Sequence, residues 1–133
     1  MFSGQDLIKQ ALIKQLDASS MRQKVISNNI ANINTPNFKK SKVNFANELE
    51  KALSPQKRNL LTTHPRHIPS VEDIKNIKPE IVTMDNTLMR GAGNNVDLEE
   101  EMVNLSKSTM EYRTAAQLLN MRGSIKNYVI EGR

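Results

Sequence analysis

The sequence contains no cysteine and no tryptophan, and aromatic residues make up only 4% of it. Without cysteine the chain has no disulfide framework, no cysteine nucleophile and no thiolate-bound metal. No apolar run reaches the ~18 residues that indicate a transmembrane helix. The N-terminal residues form neither a basic region nor a continuous apolar region, so we expect no cleaved signal peptide. With so few aromatic residues, we expect partners to supply much of the apolar burial.

The length and the charge distribution divide the chain into three parts. Its 133 residues allow at most one compact domain. The net charge is +5, and residues 37–95 hold ten basic and six acidic groups. Their densest point is Lys39, Lys40 and Lys42. A solvated loop explains this cluster, and contact with nucleic acid or an anionic membrane is the alternative. We divide the chain into an N-terminal helix and motif (1–36), a middle segment (37–95) and a C-terminal helix (96–133).

No arrangement of residues in the sequence indicates catalysis. Pro65 prevents His64 and His67 from sharing a regular helix face, and no third metal ligand lies at a recognised spacing. The three carboxylates Glu99–Glu101 are adjacent on a predicted helix and point in different directions. No phosphate-binding loop is present. We therefore expect no enzyme, no cofactor, no metal site and no small-molecule substrate.

Apolar residues at alternating steps of four and three predict two long helices that pair. The first spans Gln5 to Ile33, about 43 Å, and the second spans Leu98 to Ile130, about 50 Å. Asp97 is the expected N-cap of the second helix and Gly132 its C-terminal stop. The first seam comprises Leu12, Leu16, Ser19, Gln23, Ile26, Ile30 and Ile33. The second comprises Leu98, Met102, Leu105, Thr109, Tyr112, Ala116, Leu119, Gly123, Lys126 and Ile130.

The middle segment carries weaker patterns. A short amphipathic helix is expected from Asn44 to Leu53, and four prolines from Pro55 to Pro79 predict a loop. Residues 81–83 and 87–89 predict two strands of a hairpin around Asp85-Asn86. Residues 91–95 read as a flexible joint. The predicted fold is mainly α: a coiled-coil-like hairpin of terminal helices, with an irregular middle segment that contains a short helix and a small β-hairpin.

Five asparagines lie between Ser27 and Phe38, at the end of the first predicted helix. Asparagine is a poor helix former because its amide competes with the backbone. Such a polar helix end is costly unless its amides find partners, so we interpret it as an assembly surface. We expect Asn28, Asn29 and Asn32 to make buried hydrogen bonds between helices or subunits, and Asn34 to end the helix.

The run Ala31-Asn32-Ile33-Asn34-Thr35-Pro36, followed by Phe38, resembles the N-terminal signature of the flagellar rod/hook/axial family, A-N-x-N-T-P with an aromatic residue after it. The run Gly93–Met102 (G-N-N-V-D-L-E-E-E-M) is similar to a motif of proximal-rod members of that family. Asn44-Phe45 with Leu49, and Thr63 with His67-Ile68, resemble two further motifs of those members. The resemblance therefore touches every region of the chain.

The resemblance implies a structural subunit of the proximal rod of the bacterial flagellar basal body. Such subunits assemble helically through their terminal helices and transmit torque from the membrane ring to the distal rod and hook. They pass through the flagellar type III export apparatus without a cleaved signal peptide and cross the periplasm as part of the rod. Implied partners are further copies, rod subunits of the FlgC, FlgF and FlgG types, the FliE adaptor and the MS-ring. The expected assembly residues are Ile26, Asn28, Asn29, Ile30, Asn32, Ile33, Asn34, Thr35, Pro36, Leu98, Met102, Leu105, Tyr112 and Leu119.

Two other functions stay open at this point. The pI of about 9.6 and the lysine cluster fit a basic helical protein that binds nucleic acid. Scarce aromatic residues and a nearly neutral last helix weigh against that reading. A helical adaptor or chaperone associated with secretion would share the same architecture.

Overall fold

The computed structural model describes residues 3–53, 74–85 and 93–132. The described elements are α1 (Ser3–Ala31), β1 (Ser41–Asn44), α2 (Ala46–Leu53), β2 (Glu80–Thr83) and α3 (Leu98–Glu131). The prediction of a mainly α fold, with two long terminal helices, a short helix and a small sheet, is confirmed. Each of the three helices begins and ends within two residues of the position expected from the sequence. Neither long helix has an apolar stretch sufficient to cross a membrane, as far as the described residues extend.

The two long helices pack against each other in opposite directions. Asn29 of α1 contacts Glu101 of α3, whereas Gln15, about four helical turns earlier in α1, contacts Glu111, which lies later in α3. Between these points the Ser108 hydroxyl donates a hydrogen bond of 3.0 Å to the Ser19 carbonyl oxygen. A side chain of one helix bonded to the backbone of the other requires a close approach. Small residues permit that approach. The two helices are therefore close together, but the side chains buried between them are few and mostly small.

The seam on α3 differs from the one that the sequence predicted. Its buried residues are Glu101, Ser108 and Ala115, one position before the predicted Met102, Thr109 and Ala116. One residue rotates the contact line by about 100° around a helix. Six residues of the predicted seam are exposed, namely Leu98 (40%), Met102 (56%), Tyr112 (41%), Gly123, Lys126 and Ile130 (71%). The prediction selected the most apolar line, whereas the helices approach along the line of small and hydrogen-bonded side chains.

On α1 the seam prediction is partly confirmed. Ser19 and Ile26 are buried as expected, and Ala18, Val25 and Asn29 join them. All five lie between residues 18 and 29. No side chain described at 7–17 is buried, and none described at 116–132 is. Burial in the hairpin is therefore concentrated at the end where α1 leads into β1.

Both caps of α3 are confirmed. The Asp97 side chain accepts hydrogen bonds from the backbone N–H groups of Glu99 (3.0 Å) and Glu100 (3.4 Å). Gly132 has a left-handed backbone with φ of 66°, and its N–H donates to the Tyr128 carbonyl oxygen. These contacts satisfy backbone groups that a helix leaves open at its ends. Both caps act within one turn of the helix end, so residue type and position in the sequence were sufficient to predict them.

The small antiparallel sheet predicted for the middle segment is present, and its described strands are β1 and β2. Strand β2 lies where a strand was expected, but it pairs antiparallel with β1, with Ser41 opposite Thr83 and Asn44 opposite Glu80. The second predicted strand at 87–89 lies outside the described residues, as do both histidines and the part of the predicted Pro55–Pro79 loop before residue 74. In its described part the loop prediction is wrong at Ile74 and Lys75, which are helical. A small core packs beside this sheet, where Phe45, Ile74 and Ile77 surround Ala18 of α1. The core holds β1 and α2 against the first helix.

Candidate functional site

The end of α1 and the start of α3 meet in a cluster of buried amide side chains, which we call the asparagine corner (residues 29–41 and 93–101). Asn29 lies at its centre and is 1% exposed. Its Nδ2 donates to the Ser41 carbonyl oxygen at 2.8 Å and to Glu101 Oε2 at 3.0 Å. Its Oδ1 accepts from the Ser41 N–H at 3.0 Å. One side chain thus joins α1, β1 and α3.

A second buried amide closes the open end of α1. The Asn94 Nδ2 lies 2.9, 3.0 and 2.9 Å from the carbonyl oxygens of Asn32, Ile33 and Thr35. The last carbonyl groups of a helix have no partners within that helix. The three carbonyl groups that Asn94 contacts belong to the turn directly after Ala31, and those of Asn32 and Thr35 also accept backbone N–H groups. This residue acts as a C-terminal cap delivered from another part of the chain.

Asn95 and two lysines extend the corner to the strands. The Lys40 N–H donates to Asn95 Oδ1 at 2.6 Å, and Asn95 Nδ2 donates to the Met84 carbonyl oxygen at 2.7 Å. The Lys39 ammonium donates to the Gly93 carbonyl oxygen at 2.8 Å. Lys40 forms a salt bridge of 2.7 Å with Glu100, and its side chain is 12% exposed. Two of the three clustered lysines therefore bind groups of this chain, which weakens the case for a basic binding patch.

Gly93 enters the corner with a left-handed backbone, φ of 72°. A Cβ atom built on it would lie 2.6 Å from Asn37 Oδ1. Asn37 is itself left-handed, with φ of 59°. The two residues fit together because one has no side chain and the other is a residue type that tolerates this conformation. The Asn-rich motif and the Gly-Asn-Asn motif are thus in direct contact.

The structure separates the predicted assembly residues of the first motif into three groups. Ile26 and Asn29 are buried, Ile30, Asn32 and Ile33 are half-buried, and Asn28, Asn34, Thr35 and Pro36 are exposed. The expected inter-helix bond is confirmed for Asn29. Asn28 makes no inter-helix bond among the described contacts; its carbonyl and amide oxygens accept from the Asn32 side chain, at 2.9 and 2.8 Å, in an exposed local contact. Contacts of these residues with other subunits stay a prediction.

The side of α3 away from the buried seam carries an apolar stripe, which we call the outer stripe: Val103, Met110, Met121 and Tyr128. Their positions fall within about 20° of each other around an ideal helix. All four are more than half exposed, with Val103 and Met110 both at 68%. Val103 and Met110 also line one side of a shallow groove whose other side includes Leu12 and Gln15 of α1. The turns between the four residues carry polar side chains on the same side, Lys107, Thr114 and Gln117. The exposed apolar residues Leu118 and Ile125 lie beside the stripe, and together these side chains form a candidate interaction surface.

Comparison with known proteins decides the family. A model of the family described as flagella basal body rod protein matches residues 14–39. The flagellar basal body rod protein FlgB of Borreliella burgdorferi is 41% identical over 104 residues, which cover 74% of this chain and 77% of that protein. The chain belongs to the FlgB family. FlgB of Bacillus subtilis (strain 168) is 34% identical over 132 residues (99% of this chain, 97% of that protein), and FlgB of Aquifex aeolicus is 30% identical over 133 residues (100% and 97%).

Membership of this family makes the chain a structural component of the flagellar basal body rod and assigns it to the basal body. The family is not known for enzymatic activity. Its members function among other rod and basal body components, so an exposed apolar surface has a ready physical explanation. The resemblance inferred from the Asn-Thr-Pro motif and the Gly-Asn-Asn run is confirmed.

Sequence reasoning missed the residues that build the asparagine corner from the C-terminal side. It read residues 91–95 as a flexible joint, whereas Asn94 and Asn95 are each 5% exposed and bonded to other segments. Glycine beside asparagine is typical of turns, and the same residue types also serve where an amide must be buried in a tight corner. The signal that could have found them is the recurrence of paired asparagines in both motifs.

Proposed function

We propose that the chain is a subunit of the proximal rod that assembles helically through α1 and α3 and transmits torque from the membrane ring toward the distal rod and hook. The observation that supports this proposal is the outer stripe. A stable isolated domain would bury a helix that is apolar on several sides. In this subunit, α1 covers one side of α3 and leaves the stripe in water.

Repeated contacts between one surface and a different surface of the next copy generate a helical filament when the rotation does not close. The outer stripe and the groove beside Leu12 are two adjacent surfaces on which such a contact can form. Long helices that pack side by side with many shared contacts resist twisting, and transmission of torque requires such resistance. The terminal helices (1–36 and 96–133) would form the rod wall, with residues 37–95 as the part that links them.

The proposed assembly surface also includes assembly residues that the sequence predicted. Leu98, Met102 and Tyr112 are exposed on a second flank of α3, while Leu105 and Leu119 are half-buried beside α1. Asn34, Thr35 and Pro36 project from the corner at the end of α1. We assign these positions to contacts with neighbouring subunits. The neighbours would be further copies, rod subunits of the FlgC, FlgF and FlgG types, and the FliE adaptor and MS-ring on the membrane side.

Export through the flagellar type III apparatus without a cleaved signal peptide completes the proposal. A chain that passes unfolded through a narrow gate loses conformational entropy when it becomes ordered. Contacts made in the rod offset that loss. The thin seam of small residues between α1 and α3 is consistent with a subunit that depends on such contacts.

The proposal is tested in a deletion strain complemented with variants of the outer stripe. The pair Met110→Glu and Met121→Glu places two charges on the stripe, and the pair Met110→Leu and Met121→Leu keeps it apolar at the same positions. Because both methionines are exposed, both variants should fold with the helical content of the parent chain. We expect the leucine pair to restore motility and to appear in purified basal bodies, and the glutamate pair to do neither. Motile cells whose basal bodies contain the glutamate pair would contradict the proposal.

A further inference from the structure

We infer that Asn94 is the positioning residue of the hairpin: its amide joins the open end of α1 to the first turn of α3 and thereby sets the angle between the two helices. This inference rests on the geometry of the asparagine corner and does not depend on the assignment to the rod.

The orientation of the Asn94 amide is fixed by its own contacts. Its Oδ1 accepts a hydrogen bond of 2.8 Å from the Val96 N–H, and a backbone N–H can donate only to the oxygen of an amide. The NH2 group must then face the three carbonyl oxygens at the end of α1. These oxygens lie at the negative end of the helix dipole, which favours a donor at that point. Asn94 is 5% exposed, so water does not readily replace it.

The distance along the chain from Asn94 to α3 leaves little freedom. Val96 is 2% exposed, and Asp97 caps the first turn of α3 through the N–H groups of Glu99 and Glu100. The residue that holds the end of α1 is therefore three positions from Asp97, the residue that caps α3. A displacement of Asn94 must move the first turn of α3 with it.

Beyond the corner, the bonds that join α3 to α1 include the one from Ser108 to Ser19 and those from Gln15 and Arg22 to Glu111. The buried residues of α3 are Glu101, Ser108 and Ala115, of which the last two are small. No described side chain at 116–132 is buried, so the far part of α3 has no described buried packing that would resist a change of angle. A small change of direction at the corner would be carried to the far end, about 50 Å away along the helix.

Substitution of Asn94 has a defined electrostatic consequence. Asn94→Asp replaces the NH2 donor with a carboxylate oxygen, which would face three carbonyl oxygens at hydrogen-bond distance and repel them. Asn94→Ala leaves the three carbonyl groups without this donor. Asn104→Asp is the matched control, because it adds the same charge at an exposed position on α3 close to the corner.

Because the chain has no cysteine, spin labels can be attached only at cysteines introduced for the purpose, and the distance between two labels reports the angle between the helices. Cysteines introduced at the exposed positions Lys9 and Asn120 carry a spin-label pair at the far end of the hairpin. Electron–electron distance measurements on the full chain should give one narrow distribution for the parent and for Asn104→Asp. We expect Asn94→Asp and Asn94→Ala to give broad distributions. Amide exchange at Thr35 and Phe38 should be about tenfold faster or more in both, because their N–H groups bond to the Asn32 and Thr35 carbonyls that lose the Asn94 donor.

A general loss of stability is distinguished from a loss of positioning by Phe45→Leu, which weakens the small core without touching the corner. We expect Phe45→Leu to lower the unfolding midpoint and to leave the distance distribution narrow. A narrow distribution in Asn94→Asp would overturn the inference, as would broadening in Phe45→Leu equal to that in Asn94→Asp. If Asn94→Asp does not fold, the same two comparisons made with Asn94→Ala decide the question.

Discussion

Removal of the Asn29 side chain should destabilise this protein far more than removal of its neighbour Asn28. Asn29→Ala eliminates three hydrogen bonds at once, two with the backbone of Ser41 and one with Glu101. Glu101 is 3% exposed, so its carboxylate would be left in a buried place without this donor. Asn28 is exposed, and its amide serves one local contact. The two asparagines are adjacent and chemically identical, which makes Asn28→Ala a close control.

The magnitude follows from the groups that lose partners. A buried polar group left unsatisfied costs about 1–3 kcal/mol, with more for a charged group. Two part-buried backbone groups and one buried carboxylate give on the order of 3–5 kcal/mol after partial relaxation. Domains of this size have a total stability of about 5–15 kcal/mol. Asn29→Ala should therefore consume a large part of the free energy of unfolding, whereas Asn28→Ala should change it by about 0.5 kcal/mol or less.

Urea unfolding of the purified chain, followed by circular dichroism, measures both values. A third variant identifies the cause: in the Asn29→Ala background, Glu101→Gln should recover part of the loss, because a neutral amide costs less to bury than a carboxylate. The same Glu101→Gln change in the parent chain should not stabilise. The reasoning is refuted if Asn29→Ala and Asn28→Ala unfold at the same urea concentration, or if Glu101→Gln brings no recovery.

Three further substitutions have predictable signs. Gly93→Ala should destabilise by roughly 1–3 kcal/mol, since its Cβ would meet Asn37 Oδ1 at 2.6 Å and φ is positive; an unfolding midpoint equal to that of the parent would contradict the corner geometry. Gly123→Ala should stabilise by up to about 1 kcal/mol in a thermal melt, because nothing described lies within 4 Å of its Cβ. If Gly123→Ala also abolishes motility, a neighbouring subunit approaches α3 closely at that point; unchanged motility would argue against such an approach. Asp97→Ala should cost about 1 kcal/mol through loss of the N-cap, measured by urea unfolding, and Asp97→Asn should retain most of the stability.

The features that the sequence predicted correctly depend on neighbouring residues. Asp97 and Gly132 cap α3 because their side chain or backbone acts within one turn of the helix end. The bounds of α1 follow similarly from the spacing of Ile26, Ile30 and Ile33 and from the residues after them. Such features leave a local signature of residue type and spacing, and no knowledge of distant segments is needed.

The features that the sequence did not predict depend on distant segments. Strand β1 lies near the start of the middle segment and β2 near its end. No short turn joins the two strands, so the sequence carries no local signal of their pairing. The seam of α3 passes through Glu101, a residue that apolar periodicity places outside a core. Its burial becomes acceptable because Asn29 lies opposite. Asn94 likewise looks like a turn residue until the carbonyl groups of α1 are placed beside it. In the corner, partner groups from elsewhere in the chain outweigh local preference.

The outer stripe has a repeat that bears on how subunits could stack. Val103 and Met121 are about five full turns apart, and so are Met110 and Tyr128. The helix therefore offers the same kind of paired apolar contact at two heights, separated by about 27 Å, with the same orientation around its axis. Two neighbouring subunits that approach from one direction at different heights would meet equivalent apolar contact sites. One α3 helix could thus contact a lower and an upper neighbour at once and distribute mechanical force between them.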